Sequence, residues 1–497
     1  MMMARLPWKD ETMINPTQGN SRPGRKTGVR LRGMLVAAAM GLGAPIFGSA
    51  AMAGDTLADA LAGAYNSSGL LEQNRALLRA ADEDVAGTIA RLRPIINWTT
   101  DITRTYSHRP GAFGAGNVRS GATSLNAGIT AEWLLYDFGR TRLSVEAAKE
   151  LVLSTRQSLV SIEQQVLLRA VRAYMNVQRN TRFVSLRRSN VRVISESLRA
   201  ARDRFDVGEV TRTDVAQAEA RLQLSRANLA QAEGDRERAI EEYVAVVGHE
   251  PGDLSQPPSL PRLTQTEETA KLIALRSHPD MLAAQHDVEA AKLNVLVAEA
   301  AMKPRVSLNA SIGVQEQLNG SDFGETGTLG VQVGGPLYQG GALSSAKRRA
   351  FAQRDAQLGV LHITRDQVRQ NVGNAYAILE AARATSLATA EQVRAGRVAF
   401  EGVNEEAKLG ARTTLDVLNA EQEYLDAQAN QISAQADVFI AAYAVLESIG
   451  ELTVRDLNLA VQTYDPAAYY NLVKDAPAAL SERGQTLDRV LRRIGKQ

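Results

Sequence analysis

"LGARTTLDVLNAEQ" runs from Leu409 to Gln422, and a weaker copy, "VGEVTRTDVAQAEA", runs from Val207 to Ala220. Gly, Thr, Asp, Val, Ala and Glu hold register at an offset of 202 residues, which marks a chain built from two repeats. Gly208 and Gly410 suit the left-handed position that ends a helix. Thr211 or Thr213 in the first copy, and Thr413 in the second, suit the cap of the next helix. Thr211-x-x-Asp214 and Thr413-x-x-Asp416 approximate a capping box, with Asp where Glu is the stronger partner. Each copy therefore reads as a helix–turn–helix tip. The plainest role for Asp214 and Asp416 is that of first-turn acids complementing a helix dipole.

Outward from the tips, no proline lies between Pro110 and Pro251 or between Pro336 and Pro466, so two long windows are free to be helical. Leu418, Leu425, Ile432, Phe439 and Leu446 recur every seven residues, a coiled-coil seam. Val215, Leu222 and Leu229 repeat it more weakly, ahead of Arg236 and Tyr243. The periodicity predicts a short helix over Leu57–Arg91, a long one over Arg140–Asp206 and a last one over Thr211–Val247. The second repeat gives Glu267–Met302, Ala342–Lys408 and Thr413–Ile449. At about 1.5 Å per residue the long helices reach about 100 Å and the short ones about 50–55 Å, so two short helices end to end match one long one.

Between the helices the period falls to two. Ile96, Trp98, Thr100 and Ile102 alternate with polar residues, as do Leu125, Ala127, Ile129, Ala131, Trp133 and Leu135. Val306, Leu308, Ala310, Ile312 and Val314, then Leu329, Val331 and Val333, do the same in the second repeat. These predict four strands of roughly 9–12 residues, a length and pattern that fit a transmembrane β-barrel with a wet lumen. An antiparallel sheet with one solvated face fits locally as well. No second sheet is predicted to cover the apolar face, which favours the membrane. Four strands cannot close a barrel, and lipid does not tolerate open edges, so the chain must pool strands with copies of itself.

The first 53 residues carry seven bases and two acids, a net +5, against +2 for the whole chain, so the remainder is near −3 and does not suggest nucleic-acid binding. Arg22, Arg25, Lys26, Arg30 and Arg32 precede an uncharged run ending in Ala51-Met52-Ala53, which reads as a secretory signal peptide over 1–53. An uncleaved membrane helix is the alternative. Repeat one is assigned 54–263 with its strand pair near 95–136. Repeat two is assigned 264–463 with its pair near 305–338, and a periplasmic tail follows over 464–497. There is no cysteine, hence no disulfide, cysteine-ligated metal or cysteine-linked lipid anchor. The five histidines lack metal-ligand spacing, and no cluster of nucleophile, base or ligands suggests an enzyme or a cofactor. "GAFGAG" at Gly111–Gly116 follows a strand into more Gly and Ser, and reads as an extracellular loop. The tail ends in Leu487, Val490, Leu491 and Ile494, an amphipathic turn or two with no evident role.

With these residues in view, the chain resembles the TolC family of outer-membrane exit ducts, most closely its alphaproteobacterial branch. The resemblance covers about residues 55–470. It rests on the two tip copies, on "LLYDFG" (Leu134–Gly139) and "PLYQGG" (Pro336–Gly341) where strand passes to helix, and on "YDPAAYY" (Tyr464–Tyr470). It implies an α+β membrane protein: a homotrimer with one 12-strand barrel in the outer membrane of a Gram-negative bacterium and a long α-helical barrel below it. It further implies a passive channel recruited by a periplasmic adaptor and an inner-membrane RND or ABC transporter, exporting drugs and toxic hydrophobic compounds. Type I protein secretion is the near alternative, and a periplasmic adaptor or structural coiled coil the alternative of another class. By the same resemblance the tips form the periplasmic gate. Asp214 would bond Arg412 of the next protomer, with Thr213 beside it, and Asp416 would form an acidic ring. A second acidic ring falls on Asn419, and a gate tyrosine falls on Ala407. The chain departs from the family pattern at those two positions.

Overall fold

The computed structural model describes residues 55–109, 118–255, 260–261, 263, 266–479 and 481–493. The expected signal peptide and the glycine-rich loop at 111–116 lie outside the described residues. The first repeat contributes α1 (Leu57–Ser67), α2 (Gly69–Ala90), β1 (Ile95–Arg109), β2 (Val118–Tyr136), α3 (Arg140–Asp206) and α4 (Arg212–Val247). The second contributes α5 (Glu267–Ser277), α6 (Pro279–Ala300), β3 (Arg305–Gln317), β4 (Phe323–Gly334), α7 (Ala342–Lys408) and α8 (Thr414–Ile449). Two short helices close the chain, α9 (Pro466–Val473) and α10 (Glu482–Arg493).

The long helices α3 and α7 have the ends expected from the sequence. The first helix of each repeat does not run through as expected. Ser68 ends α1 and caps α2 by accepting from the Leu71 N–H at 3.3 Å. His278 ends α5 and caps α6, its Nδ1 accepting from the Asp280 N–H at 3.2 Å, while Pro279 takes the first helical position. A side chain that offers the backbone a local partner competes with helix continuation, and a first-position proline suits a new helix start. Strands β1 to β3 are also longer than expected, at 15, 19 and 13 residues, while β4 has 12.

The four strands form one antiparallel sheet in the order β1-β2-β3-β4. Its register sorts the residues cleanly by face. Trp98 stands opposite Ile129, which stands opposite Ile312, and Ile96, Ala131, Ala310 and Leu329 form the next apolar row. That face is bare: Trp98 is 78% exposed and Leu329 75%. The other face is polar and internally bonded. Asn126 donates to Asp101 at 2.8 Å, Asn309 to Gln332 at 3.0 Å, and the Ser311 and Thr328 hydroxyls lie 2.6 Å apart. Gly128 and Gly313 face each other where β2 and β3 run close, and a Cβ at Gly128 would lie 3.2 Å from the Ile312 carbonyl oxygen. Among the described residues, strands β1 and β4 each have one side unpaired.

Helix α3 packs against α1, α2, α4, α6 and α8. Leu71, Leu78 and Val85 of α2, Leu167 and Val171 of α3, Tyr243 of α4 and Leu446 of α8 share one core. A second core joins α5, α7 and α8 through Ala270, Val372, Leu379, Val438 and Val445. Helix α8 is long and apolar enough to cross a bilayer, but its apolar residues are spent on these cores.

Candidate functional site

The two tips are built alike, and the sequence explains both. Helix α3 ends in a Schellman turn: Gly208 adopts φ +80°, its N–H donates to the Phe205 carbonyl at 2.9 Å, and the Glu209 N–H reaches the Arg204 carbonyl at 2.9 Å. Helix α7 ends the same way, with Gly410 at φ +79° and Gly410 and Ala411 donating to Ala407 and Glu406. Ala407 contributes its carbonyl to this turn.

Both capping boxes are complete. The Thr211 N–H and hydroxyl donate to Asp214 Oδ2 at 2.8 and 2.7 Å, and the Asp214 N–H donates back to the hydroxyl at 3.3 Å. Thr413 and Asp416 repeat the arrangement at 3.0, 2.8 and 3.2 Å. Thr211 is therefore the cap, and Thr213 lies exposed in the first turn of α4. The Thr211 hydroxyl, then its N–H, hold Asp214 below the usual carboxylate range, and the Thr413 N–H and hydroxyl do the same for Asp416. Asp plays the box role assigned to Glu in the sequence pattern, because its shorter side chain still reaches the cap N–H.

Within one chain Arg412 does not meet Asp214. Its Nε donates to Glu406 Oε2 at 2.8 Å, across the turn it follows. Asn419 accepts from Arg221 Nη2 at 2.9 Å, which ties α8 to α4. This is one rung of a seam between the two hairpins. Leu418 of α8 packs among Ile194, Leu198, Ala218 and Leu222 of α3 and α4. Above it, Arg182 donates to Gln435 at 3.0 Å, and Arg179 lies 3.6 Å from Asp437.

The sequence reading missed the centre of that seam. Glu421 of α8 is only 6% exposed. Asn190 of α3 donates to its Oε1 at 3.1 Å, and Ser225 of α4 donates to Asn190 Oδ1. Oε2 has no hydrogen-bond partner among the described residues. Burial pushes the Glu421 carboxyl up to about 7, against a smaller opposing effect of Asn190 and Arg221. The signal was present: Glu421 lies three residues after Leu418 and four before Leu425, on the face the heptad buries. A second such group is Asp82 of α2, fully buried between Leu78 and Val85, 3.9 Å from Arg156 and pushed up to about 6 by burial. Among the described residues no group of acids and histidines could hold a metal.

A profile of the family described as "Outer membrane efflux protein" matches residues 63–249 and 273–451, the two repeats in turn. The outer membrane efflux protein BepC of Brucella suis biovar 1 is 38% identical over 443 residues, 89% of this chain and 95% of its own. The chain belongs to the outer membrane efflux protein family. It is an outer-membrane efflux channel, from a family of channels rather than of enzymes. The alkaline protease secretion protein AprF of Pseudomonas aeruginosa is 27% identical over 340 residues, 66% of this chain and 69% of its own. Among solved structures, the Campylobacter jejuni CmeC outer membrane channel superposes with a TM-score of 0.71 at 16% identity, over 86% of this chain and 90% of that one. The bare apolar face and the polar, hydrogen-bonded opposite face of the sheet match the alternation of a transmembrane strand.

Proposed function

We propose that this channel is a homotrimeric exit duct, three sheets closing one 12-strand barrel over a periplasmic helical barrel. The observation that carries it is the sheet: an exposed apolar surface with both edge strands unpaired among the described residues. Each orphaned backbone group in hydrocarbon costs several kcal/mol, so β1 of one copy must pair with β4 of the next. The duct has no energy source of its own. A periplasmic adaptor engages the helical tips, and an inner-membrane RND or ABC pump drives the cargo. The likeness to BepC, an outer membrane efflux protein, favours efflux, with drugs and toxic hydrophobic compounds as the cargo in this proposal. The likeness to AprF, a protease secretion protein, supports protein secretion as a second use of the same duct, by a type I system in this proposal. A deletion strain that loses drug tolerance and keeps its secreted proteins fits the first use, and the reverse fits the second.

The tips are the gate in this proposal. Asp214 spends Oδ2 on its cap and Arg412 spends Nε on Glu406, so Oδ1 and the Nη pair remain for a bond between neighbouring protomers. One exposed pair is worth about 0–1 kcal/mol, so closure depends on threefold repetition and on packing. In planar bilayers the double variant Asp214→Ala with Arg412→Ser is expected to conduct several-fold more than the parent. Equal conductance argues against a lock at these residues.

A further inference from the structure

We propose that α10 is a lipid-docking helix whose arginines bind anionic phospholipid headgroups of the membrane leaflet on the helical side of the barrel. The proposal rests on the membrane placement of the sheet. Its starting point is where the tail lies. Arg93 stands two residues before β1 and donates to the backbone carbonyls of Ala476, at 2.6 Å, and Asp475. The tail is thus pinned at the point where the chain enters the sheet. Helix α10 then packs back on the last turns of α2: Leu487 meets Ala86 and Val473, with Leu491, Tyr469 and Ala476 around them. Ala86 is separated from Ile95 by about 25 Å of chain at most. The Tyr469 hydroxyl, donating to Glu83 at 2.7 Å, fixes α9 to the same stretch of α2.

The docked face is closed to substitution. A Cβ at Gly484 would fall 2.2 Å from the Ala478 carbonyl oxygen, so the helix seats flush on the turn before it. At about 100° per residue, Arg489, Arg492 and Arg493 fall on the arc turned away from Gly484, Leu487 and Leu491, and all three are exposed. Val490 is exposed between them. No acid is exposed on α10 from Gln485 to Arg493, where Asp488 is half-buried.

The strand junctions share this sign, whereas the exposed Glu83 and Asp84 of α2, Asp475 and Glu482 carry the opposite one. Where helices join strands, Arg91, Arg93, Arg140, Arg142, Lys303 and Arg305 are all exposed. The one acid at these junctions, Asp137, is occupied by the Thr141 N–H at 2.7 Å and by the Thr141 hydroxyl. A belt of cations at the rim of a transmembrane sheet is complementary to phosphate headgroups, and α10 extends that belt sideways over the leaflet. With no cysteine available for a covalent lipid, this helix gives the chain a second, reversible hold on the membrane.

The test uses the purified full chain in detergent, titrated with dioleoylphosphatidylglycerol or dioleoylphosphatidylcholine and read by native mass spectrometry. The parent is expected to retain phosphatidylglycerol at least tenfold more tightly than phosphatidylcholine. An arginine near an anionic surface is worth about fivefold, so Arg489→Gln, Arg492→Gln and Arg493→Gln together are expected to erase most of the preference. The corresponding triple Lys variant is expected to keep it. A heat-modifiable oligomer band in each sample reports assembly separately. Normal assembly with equal retention in the parent and the Gln variant overturns the lipid role alone. Loss of the oligomer only in the Gln variant also overturns it, and makes α10 a contact between copies. A parent that never assembles overturns both the barrel and the helix docked beside it.

Discussion

Ile312→Arg is expected to abolish stable insertion of the channel, whereas Ser311→Arg, one residue away, is expected to insert normally and change conductance. The two side chains lie near the middle of β3 on opposite faces. Ile312 is 66% exposed on the apolar face, flanked across the strands by Ile129 and Gly327. Ser311 shares a hydrogen bond with Thr328 on the polar face. An arginine on the lipid face near the bilayer midplane costs about 2–4 kcal/mol, and a trimer would incur it three times. On the lumen face the same charge stays in water and repels cations. Recovery of heat-modifiable oligomer from outer-membrane fractions reads the first effect, and single-channel conductance the second. Insertion of Ile312→Arg with failure of Ser311→Arg would mean that the faces are assigned the wrong way round, and equal insertion that the apolar face does not meet lipid.

The second large effect is expected at Glu421. Its carboxyl moves from an ordinary 4.5 to about 7 because it is buried between three helices with one oxygen unsatisfied. The native state therefore holds a proton that the unfolded chain has lost. Stability from this group is complete below about pH 4.5 and is lost as pH rises through about 7. The shift corresponds to about 3 kcal/mol at pH 8, of which solvent penetration into the seam leaves about 1–3. Glu421→Gln keeps the shape and the acceptor for Asn190 and removes the charge. It is expected to leave thermal stability unchanged at pH 4 and to raise it at pH 8. Urea or thermal unfolding of the detergent-solubilised channel across that range is the measurement. A parent whose stability does not fall from pH 5 to pH 8 would show that Glu421 is hydrated.

The contrast between Glu421 and its repeat counterpart explains how much of the fold and site was legible. Glu219 occupies the same register in the first copy, yet it is exposed and lies 3.6 Å from Arg202. Both positions keep the Ala-Glu pair of the repeat. What differs is that α8 is pressed against α3 of the other hairpin as well as against its own α7, a tertiary fact with no local signature. By contrast, the tips, the ends of α3 and α7, and the four strands are set by features a single segment carries: a glycine at positive φ, a Thr–Asp box, an alternation of period two. The breaks at Ser68 and His278 fall between these cases. Pro279 marked one of them plainly, and the helical periodicity on either side masked it. Arg412–Glu406 spans only six residues, but it depends on how the turn folds the arginine back. Arg221–Asn419 joins the two repeats, so neither repeat alone implies it.

The mass of the purified chain in detergent or lipid nanodiscs tests the proposed assembly most directly. Three copies in one heat-modifiable particle, opening a single conducting pore in a planar bilayer, is the expected result. A water-soluble single copy that stays out of detergent micelles would contradict it, because one sheet with two open edges has no stable place in a membrane.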